Sequence, residues 1–227
     1  MSQSLADGLR HGLSDGLSDG LAALGLALSA DQQNALLAYL ALLQKWNQVY
    51  NLTAVREPQA MLSHHLLDSL AVVAPLQAQM QKLAPAAPLR LLDVGSGAGL
   101  PGVVLAICLP DLQVDCVDTV AKKASFIQQV ALSLGLPNLR GLHARVERIE
   151  PGYQLVSARA FSSLPDLVQG SDAALLPGGI WMAMKGKTPT EEMQALPPSV
   201  QVFHVEPLDV PGLDAQRCIV WMRRADA

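Results

Sequence analysis

The sequence predicts an α/β fold: a doubly wound, seven-stranded sheet with an antiparallel last strand, preceded by an N-terminal helical segment. Three observations carry that expectation. From Leu89 onward, short apolar runs alternate with helical stretches, the pattern of parallel strands joined by crossover helices. The first run ends in a glycine-rich loop, LLDVGSGAGLPG (91–102), with glycines at 95, 97, 99 and 102. Between the last two runs lies PLDVPGLD (207–214), a turn-rich connector too short for a helical crossover, so the final pair is an antiparallel hairpin.

Each element has its own signal. Residues 5–21 read LADGLRHGLSDGLSDGL, a DGL near-repeat in which glycine recurs too often for a steady helix, so residues 1–28 are expected as a poorly ordered extension. Ser29 followed by Gln32 fits a capping box, and Leu36, Leu40 and Leu43, with Trp46 on the neighbouring stripe, space a helix over about 30–49. A second helix is expected to start near Pro58, a residue tolerated in a first turn, and to bury Leu62, Leu66, Leu70 and Val73. Residues 77–88, with prolines at 85 and 88, read as a linker. The segment 29–88 is then helical segment plus linker, and 89–227 the sheet domain. Strands are expected at 89–94, 113–117, 139–143, 155–158, 179–185, 200–205 and 217–222.

Composition sets the bounds. The chain has 227 residues, 50% of them hydrophobic, enough for one α/β domain with an added segment and cramped for two. No apolar run approaches the roughly 18 to 20 residues that cross a bilayer, and the N-terminus holds acidic and glycine residues where a secretory signal would be basic. A soluble, cytoplasmic protein is expected. Cys108, Cys116 and Cys218 are odd in number and lack CxxC spacing or nearby histidines, which reads as reduced, buried thiols and no metal site. The net charge of -4 is spread evenly, so attraction to nucleic-acid phosphates is weak unless folding gathers scattered cations on one face.

The glycine loop does not fit a nicotinamide cofactor, because Leu100 stands where G-x-G-x-x-G needs its third glycine. What remains is D-x-G-x-G-x-G: Asp93 ending the first strand, then Gly95, Gly97 and Gly99, which let the backbone pass close to a ligand. Pro101 then opens the next helix. Asp93 suits a cationic or amine-bearing ligand better than a pyrophosphate, and S-adenosylmethionine carries both an ammonium and a sulfonium. Asp118 ends the second strand, 25 residues after Asp93, where a carboxylate accepts hydrogen bonds from ribose hydroxyls. Five βα units closed by a hairpin fit the class I S-adenosylmethionine-dependent methyltransferase type of sheet, whereas the dinucleotide type continues with a sixth parallel strand.

KWNQVYNLTAV (45–55), HHLLDSL (64–70), LLDVGSGAGLPG, VDTVAKKASFIQQV (117–130), ARVERI (144–149), SARAFSSL (157–164) and MKGK (184–187) together resemble the RsmG (GidB) family, bacterial methyltransferases that place a methyl on guanine N7 of 16S ribosomal RNA. The resemblance runs from Ser29 to the C-terminus, and KWNxxYNLT and RAF are more specific than any glycine motif. It implies cofactor contacts at Gly95, Leu100, Val146, Glu147 and Arg159. Many members have arginine where this chain has His64, which weakens a charged contact near neutral pH. The DGL stretch has no counterpart in the resemblance.

The expected chemistry agrees. Methyl transfer from a sulfonium is an in-line displacement that needs alignment and, for some acceptors, a base. No [DN]-P-P-[YFW] motif for an exocyclic amine follows the fourth strand; that place holds Ser157, Ala158 and Arg159. Nor does a cysteine stand there, since Cys218 lies on the last hairpin. Guanine N7 has an exposed lone pair and no proton to lose. Arg159 is therefore expected to act by closing the pocket between cofactor and base, with Lys185 or Lys187 holding a nearby phosphate. Arg145, Arg148, Lys185 and Lys187, together with His65, are the candidate RNA contacts.

Other residues read blandly. Trp46 and Tyr50 fit core aromatics to which only the resemblance adds a function. Asp68 is expected to make a local hydrogen bond, and Lys122 and Lys123 to form a solvated helix face. The neutral-to-acidic chain implies RNA presented in the small ribosomal subunit or its precursor, to a monomer with no membrane partner. Two alternatives stand beside this: a small-molecule methyltransferase using the same loop, and a ribosome-assembly binding module that has lost turnover. Retention of Asp93, the glycines and Asp118 disfavours the second.

Overall fold

The computed structural model describes residues 2–83 and 88–225. Its seven strands are β1 (Arg90–Val94), β2 (Gln113–Asp118), β3 (Leu139–His143), β4 (Tyr153–Arg159), β5 (Leu175–Lys185), β6 (Val200–Leu208) and β7 (Arg217–Arg224). They form one sheet in the order β3-β2-β1-β4-β5-β7-β6. Strands β1 to β5 pair in parallel, and β7 inserts between β5 and β6, antiparallel to both. The order reverses between β1 and β4, so a crevice opens beyond their C-terminal ends. Asp93, Asp118, Arg159 and Lys185 all lie at that edge, because each closes or nearly closes a parallel strand.

Helices cover both faces, which is why β1 is buried from Leu91 to Val94 rather than on alternate residues. One core gathers Leu91, Val103, Phe126 and Trp221 beneath α6 (Gly102–Cys108) and α7 (Ala121–Leu134); the other gathers Val94, Leu167, Trp181 and Met222 beneath α8 (Leu164–Ser171). A short α9 (Thr190–Gln194) follows β5, and the β3–β4 link carries only a 3-10 turn, Val146–Arg148. Cys108, Cys116 and Cys218 are buried free thiols.

The N-terminal part departs from expectation in two places. Residues expected as a poorly ordered extension form helix α1 (Ser2–Ala23). Gly12, Gly16 and Gly20 recur every four residues and so share a helix face, which lies against side chains of the next segment. A Cβ at Gly16 would come within 2.8 Å of Leu62, and one at Gly20 would collide with Leu67. Leu17 and Leu21 on the adjacent stripe are fully buried, so tertiary packing outweighs the glycines' poor helix propensity. The expected linker is also largely helical: α5 (Val73–Leu83) runs through it, and Pro85 lies outside the described residues.

Helix α2 (Ala30–Tyr50) has the expected capping box of Ser29 and Gln32. The Gln32 amide also donates to the carbonyls of Ile107 and Cys108 at the end of α6, satisfying orphan acceptors there and docking α2 on the sheet domain. Helix α3 (Pro58–Met61) begins at the expected proline and passes into a π-helical turn, Leu62–Leu67, then α4 (Asp68–Leu70). Leu62, Leu66, Leu70 and Val73 are all buried. No helix among the described residues is long and apolar enough to cross a membrane.

Candidate active site

The glycine loop is shaped from inside. Asp93 is fully buried; its carboxylate accepts from Ser157 Oγ at 2.7 Å and from the Gly102 amide at 3.1 Å. Gly102 is required there, since a Cβ would collide with Cys116 Sγ and lie 2.9 Å from Asp93 Oδ2. Burial pushes the Asp93 carboxyl up to about 7, against the lowering pull of its bonds from Ser157 and Gly102 and of the Arg159 charge. Asp93 lines neither of the cavities described below; its two oxygens brace the loop against β4 and α6. Tyr39 Oη adds a bond to the Ala98 carbonyl at 2.8 Å, tying α2 to the same loop.

A cavity of about 310 Å³ opens beyond β1, β2 and β3, lined by Gly95, Asp118, Val146, Glu147 and Phe161 among others. Asp118 accepts from the backbone amides of Gly97 (3.0 Å) and Val120 (2.9 Å), and Lys123 stands 3.4 Å away. These bonds fix the carboxylate's orientation while leaving lone pairs toward the cavity. Gly95 has φ +64°, and a Cβ there would lie 2.8 Å from Phe161 Cδ2, so the bare backbone lets the ring close over the loop. A fixed carboxylate, the apolar walls of Val94, Val117 and Val146, and an open glycine backbone together suit a nucleoside.

Phe161 also lines a second cavity, of about 340 Å³, beyond β4 and β5. Arg159 stands in its wall, donating from Nη1 to the His64 carbonyl at 2.9 Å and to Asp68 Oδ2 at 2.8 Å. Arg217 donates from Nε to Asp68 Oδ1, also at 2.8 Å. The π-helical turn delivers both acceptors: it carries the His64 carbonyl, and Asp68 follows it directly. Ala160, next to Arg159, has φ +54°, a strained value for a residue with a Cβ, in the turn between Arg159 and Phe161.

The sequence-derived site residues therefore divide. Gly95, Asp118, Val146, Glu147 and Arg145 share the first cavity, and Arg159 and Lys185 the second. Gly97 supports Asp118, while Gly99 and Leu100 are buried beneath the loop. Arg148 and Lys187 are exposed, Lys187 beside a third opening after β5. His65 lines neither cavity: it is buried, its Nε2 lies 2.7 Å from Thr53 Oγ1, and burial, then the Arg159 charge, pushes it down to about 4. Lys185 is also committed, to Glu192 at 2.8 Å and the Ser162 carbonyl at 3.2 Å.

Sequence reasoning missed three engagements. Asp68 bonds across 91 and 149 residues rather than locally, and no periodicity links it to Arg159 or Arg217. Lys122 and Lys123 are not a plain solvated face, since Lys122 donates to the Tyr50 carbonyl and Lys123 pairs with Asp118. Tyr50 is exposed, with only Trp46 stacked in the core against Phe126.

Residues 32–220 match the family described as rRNA small subunit methyltransferase G (GidB). The chain is 64% identical over 208 residues to the ribosomal RNA small subunit methyltransferase G of Paracidovorax citrulli, covering 88% of this chain and 86% of that protein. It is 61% identical over 210 residues to the protein of the same description from Albidiferax ferrireducens, covering 90% and 94%. Among solved structures, TrmN from Thermus thermophilus superposes with a TM-score of 0.52 at 22% identity, over 72% of this chain and 53% of that one. A SAM dependent methyltransferase from Aquifex aeolicus gives 0.52 at 14% identity, over 81% and 97%. At such identities the likeness concerns the fold alone.

Proposed function

This chain belongs to the rRNA small subunit methyltransferase G (GidB) family, and we propose that it transfers a methyl group from S-adenosylmethionine to N7 of a guanine in 16S ribosomal RNA. The observation that carries this reading is the pair of cavities at the strand edge, meeting at Phe161: one lined by Gly95 and Asp118, whose residues suit a nucleoside, and a second one walled by Arg159. When bound, S-adenosylmethionine supplies an electrophilic methyl on a sulfonium.

The chain's own residues then have limited work. Asp118 would hold the ribose, Val146 and Glu147 would flank the nucleoside, and the bare Gly95 backbone would leave room for the cofactor beside the loop. Arg159, anchored on Asp68 and the His64 carbonyl, closes the side between cofactor and base. The carboxylate in the second cavity's wall, Asp68, is engaged by two arginines, and an N7 acceptor has no proton for it to take. Positioning supplies the rate.

The chain's acidic balance favours RNA already folded within the small ribosomal subunit or its precursor, met by a cytoplasmic monomer. The test is single-turnover transfer of labelled methyl to small subunits, followed by mapping of the label. Label at one guanine N7, lost with Arg159→Ala at saturating cofactor, is the expected result. Undiminished transfer by that variant overturns the role of Arg159, and label on another atom overturns the acceptor. Equal rates on bare 16S RNA and on subunits overturn the choice of substrate form.

A further inference from the structure

We propose that Arg159 and Arg217, both held on the carboxylate of Asp68, form a clamp for one backbone phosphate of the RNA beside the acceptor base; this rests on the function proposed above. Asp68 is buried, and each of its oxygens takes one guanidinium, Arg159 Nη1 on Oδ2 and Arg217 Nε on Oδ1, both at 2.8 Å. That arrangement spends only part of each fork. Nε and Nη2 of Arg159, and Nη2 of Arg217, have no protein acceptor among the described residues, and both side chains line the same cavity of about 340 Å³.

Charge points to the ligand. Two guanidiniums and one carboxylate leave a surplus of one positive charge, since the neighbouring Lys185 is cancelled by Glu192. A single phosphodiester carries one negative charge and offers two oxygens, the geometry that arginine forks match. The apolar wall of Phe161, Met184 and Leu208 shields the site and strengthens such bonds. With Lys185 occupied by Glu192, Arg217 is the cation on β7 placed to hold the phosphate that sequence reasoning assigned to a lysine. Asp68 is then a positioning residue, fixing both guanidiniums before RNA arrives.

The other anion in reach is the carboxylate of the cofactor itself, and salt dependence separates the two. Single-turnover methyl transfer to small subunits is measured over a salt series with the wild-type chain, Arg217→Ala and Arg217→Lys, alongside calorimetry with S-adenosylhomocysteine. The clamp predicts that Arg217→Ala raises the half-saturating subunit concentration about tenfold, with a smaller change in maximal rate. The slope of log affinity against log salt falls by about one. Arg217→Lys restores the slope and only part of the affinity, because a point charge replaces a fork. S-adenosylhomocysteine binding stays within about twofold.

An unchanged slope and half-saturation in Arg217→Ala overturns the clamp, and so does a loss confined to S-adenosylhomocysteine affinity, which assigns the anion to the cofactor. Should Arg217→Ala lose its folded circular-dichroism signal, Arg217→Gln carries the same comparison. A wild-type chain that transfers no methyl refutes the function proposed above rather than the clamp, which is then read from salt-dependent binding of the same variants to subunits.

Discussion

Phe161 packs against Gly95, its Cδ2 2.8 Å from where a β-carbon on that residue would lie. The contact sits where the two cavities meet, so under the function proposed above it would couple the backbone of the glycine loop to the closing of the substrate side. Gly95→Ala would have to hold a methyl-bearing residue at φ +64° and displace the ring. The backbone term alone costs about 1 kcal/mol. Calorimetry is expected to show S-adenosylmethionine binding at least tenfold weaker. Gly178→Ala is the comparison: φ is +76° with no atom within 4 Å, so it bears the backbone cost and leaves cofactor affinity alone.

Asp93 makes stability depend on pH in the unusual direction. Its folded carboxyl is raised to about 7 by burial, whereas an unfolded one titrates at about 3.9. The stability this group contributes is complete below about pH 4 and is lost as pH rises through 7. Asp93→Asn keeps the shape and does not ionise. The stability of wild type minus that of Asp93→Asn should fall between pH 4 and 7, by an amount on the order of 4 kcal/mol. Urea melts at several pH values measure it, and parallel profiles for the two chains would contradict the burial argument. His65 acts oppositely, since its lowered folded value removes stability as pH falls from about 6.5 toward 4, and it cancels in the difference.

The sheet was legible because its signals are local: apolar runs, a glycine loop and a connector too short for a helix all lie within a few residues. The cavity at Gly95 and Asp118 was half legible, since Gly95 directly follows one strand and Asp118 ends the next, and the register of both follows from those runs. The bracing bonds of Asp93 were not legible, because a strand-end carboxylate reads the same whether it faces a ligand or the amide of Gly102; only the position of α6 decides. Asp68 with Arg159 and Arg217 was not legible, because three distant segments meet there. The DGL stretch misled for a related reason. Glycine every four residues lowers helix propensity, yet it also makes a smooth face, and its value depends on Leu62 and Leu67 being there to meet it.

At the opposite end of the parallel strands, Asp115 is a structural charge centre. It accepts from Arg140 at 2.6 Å through both oxygens, from Tyr153 Oη at 2.7 Å and from Arg90 at 3.2 Å. Burial pushes its carboxyl up, but the bonds from Arg140, Tyr153 and Arg90 outweigh this and hold it below the ordinary value. Asp115→Ala should cost about 2 to 3 kcal/mol in a urea melt at pH 7, moderated because both arginines reach water. The sign against pH is the reverse of that at Asp93: this stability is present above about pH 4 and lost as pH falls through the lowered folded value. The gap between wild type and Asp115→Ala should therefore close in acid.

The α1 face gives a test of how the N-terminal segment reaches the active site. Gly20 lies against Leu67, Leu67 ends the π-helical turn, and the next residue is Asp68, which anchors Arg159. Gly20→Val gains some helix propensity but forces branched carbons into Leu67, an overpacking worth about 1 to 3 kcal/mol. If α1 only adds stability, the melting temperature should fall and methyl transfer at 25 °C should not. If packing on the turn helps hold Asp68, hydrogen exchange should rise across 62–68 and the transfer rate should fall about three- to tenfold at saturating cofactor. The direct line of contact from Gly20 through Leu67 to Asp68 favours the second outcome. Gly25→Ala, at a φ of +64° with open space around it, controls for strain in the chain just after α1.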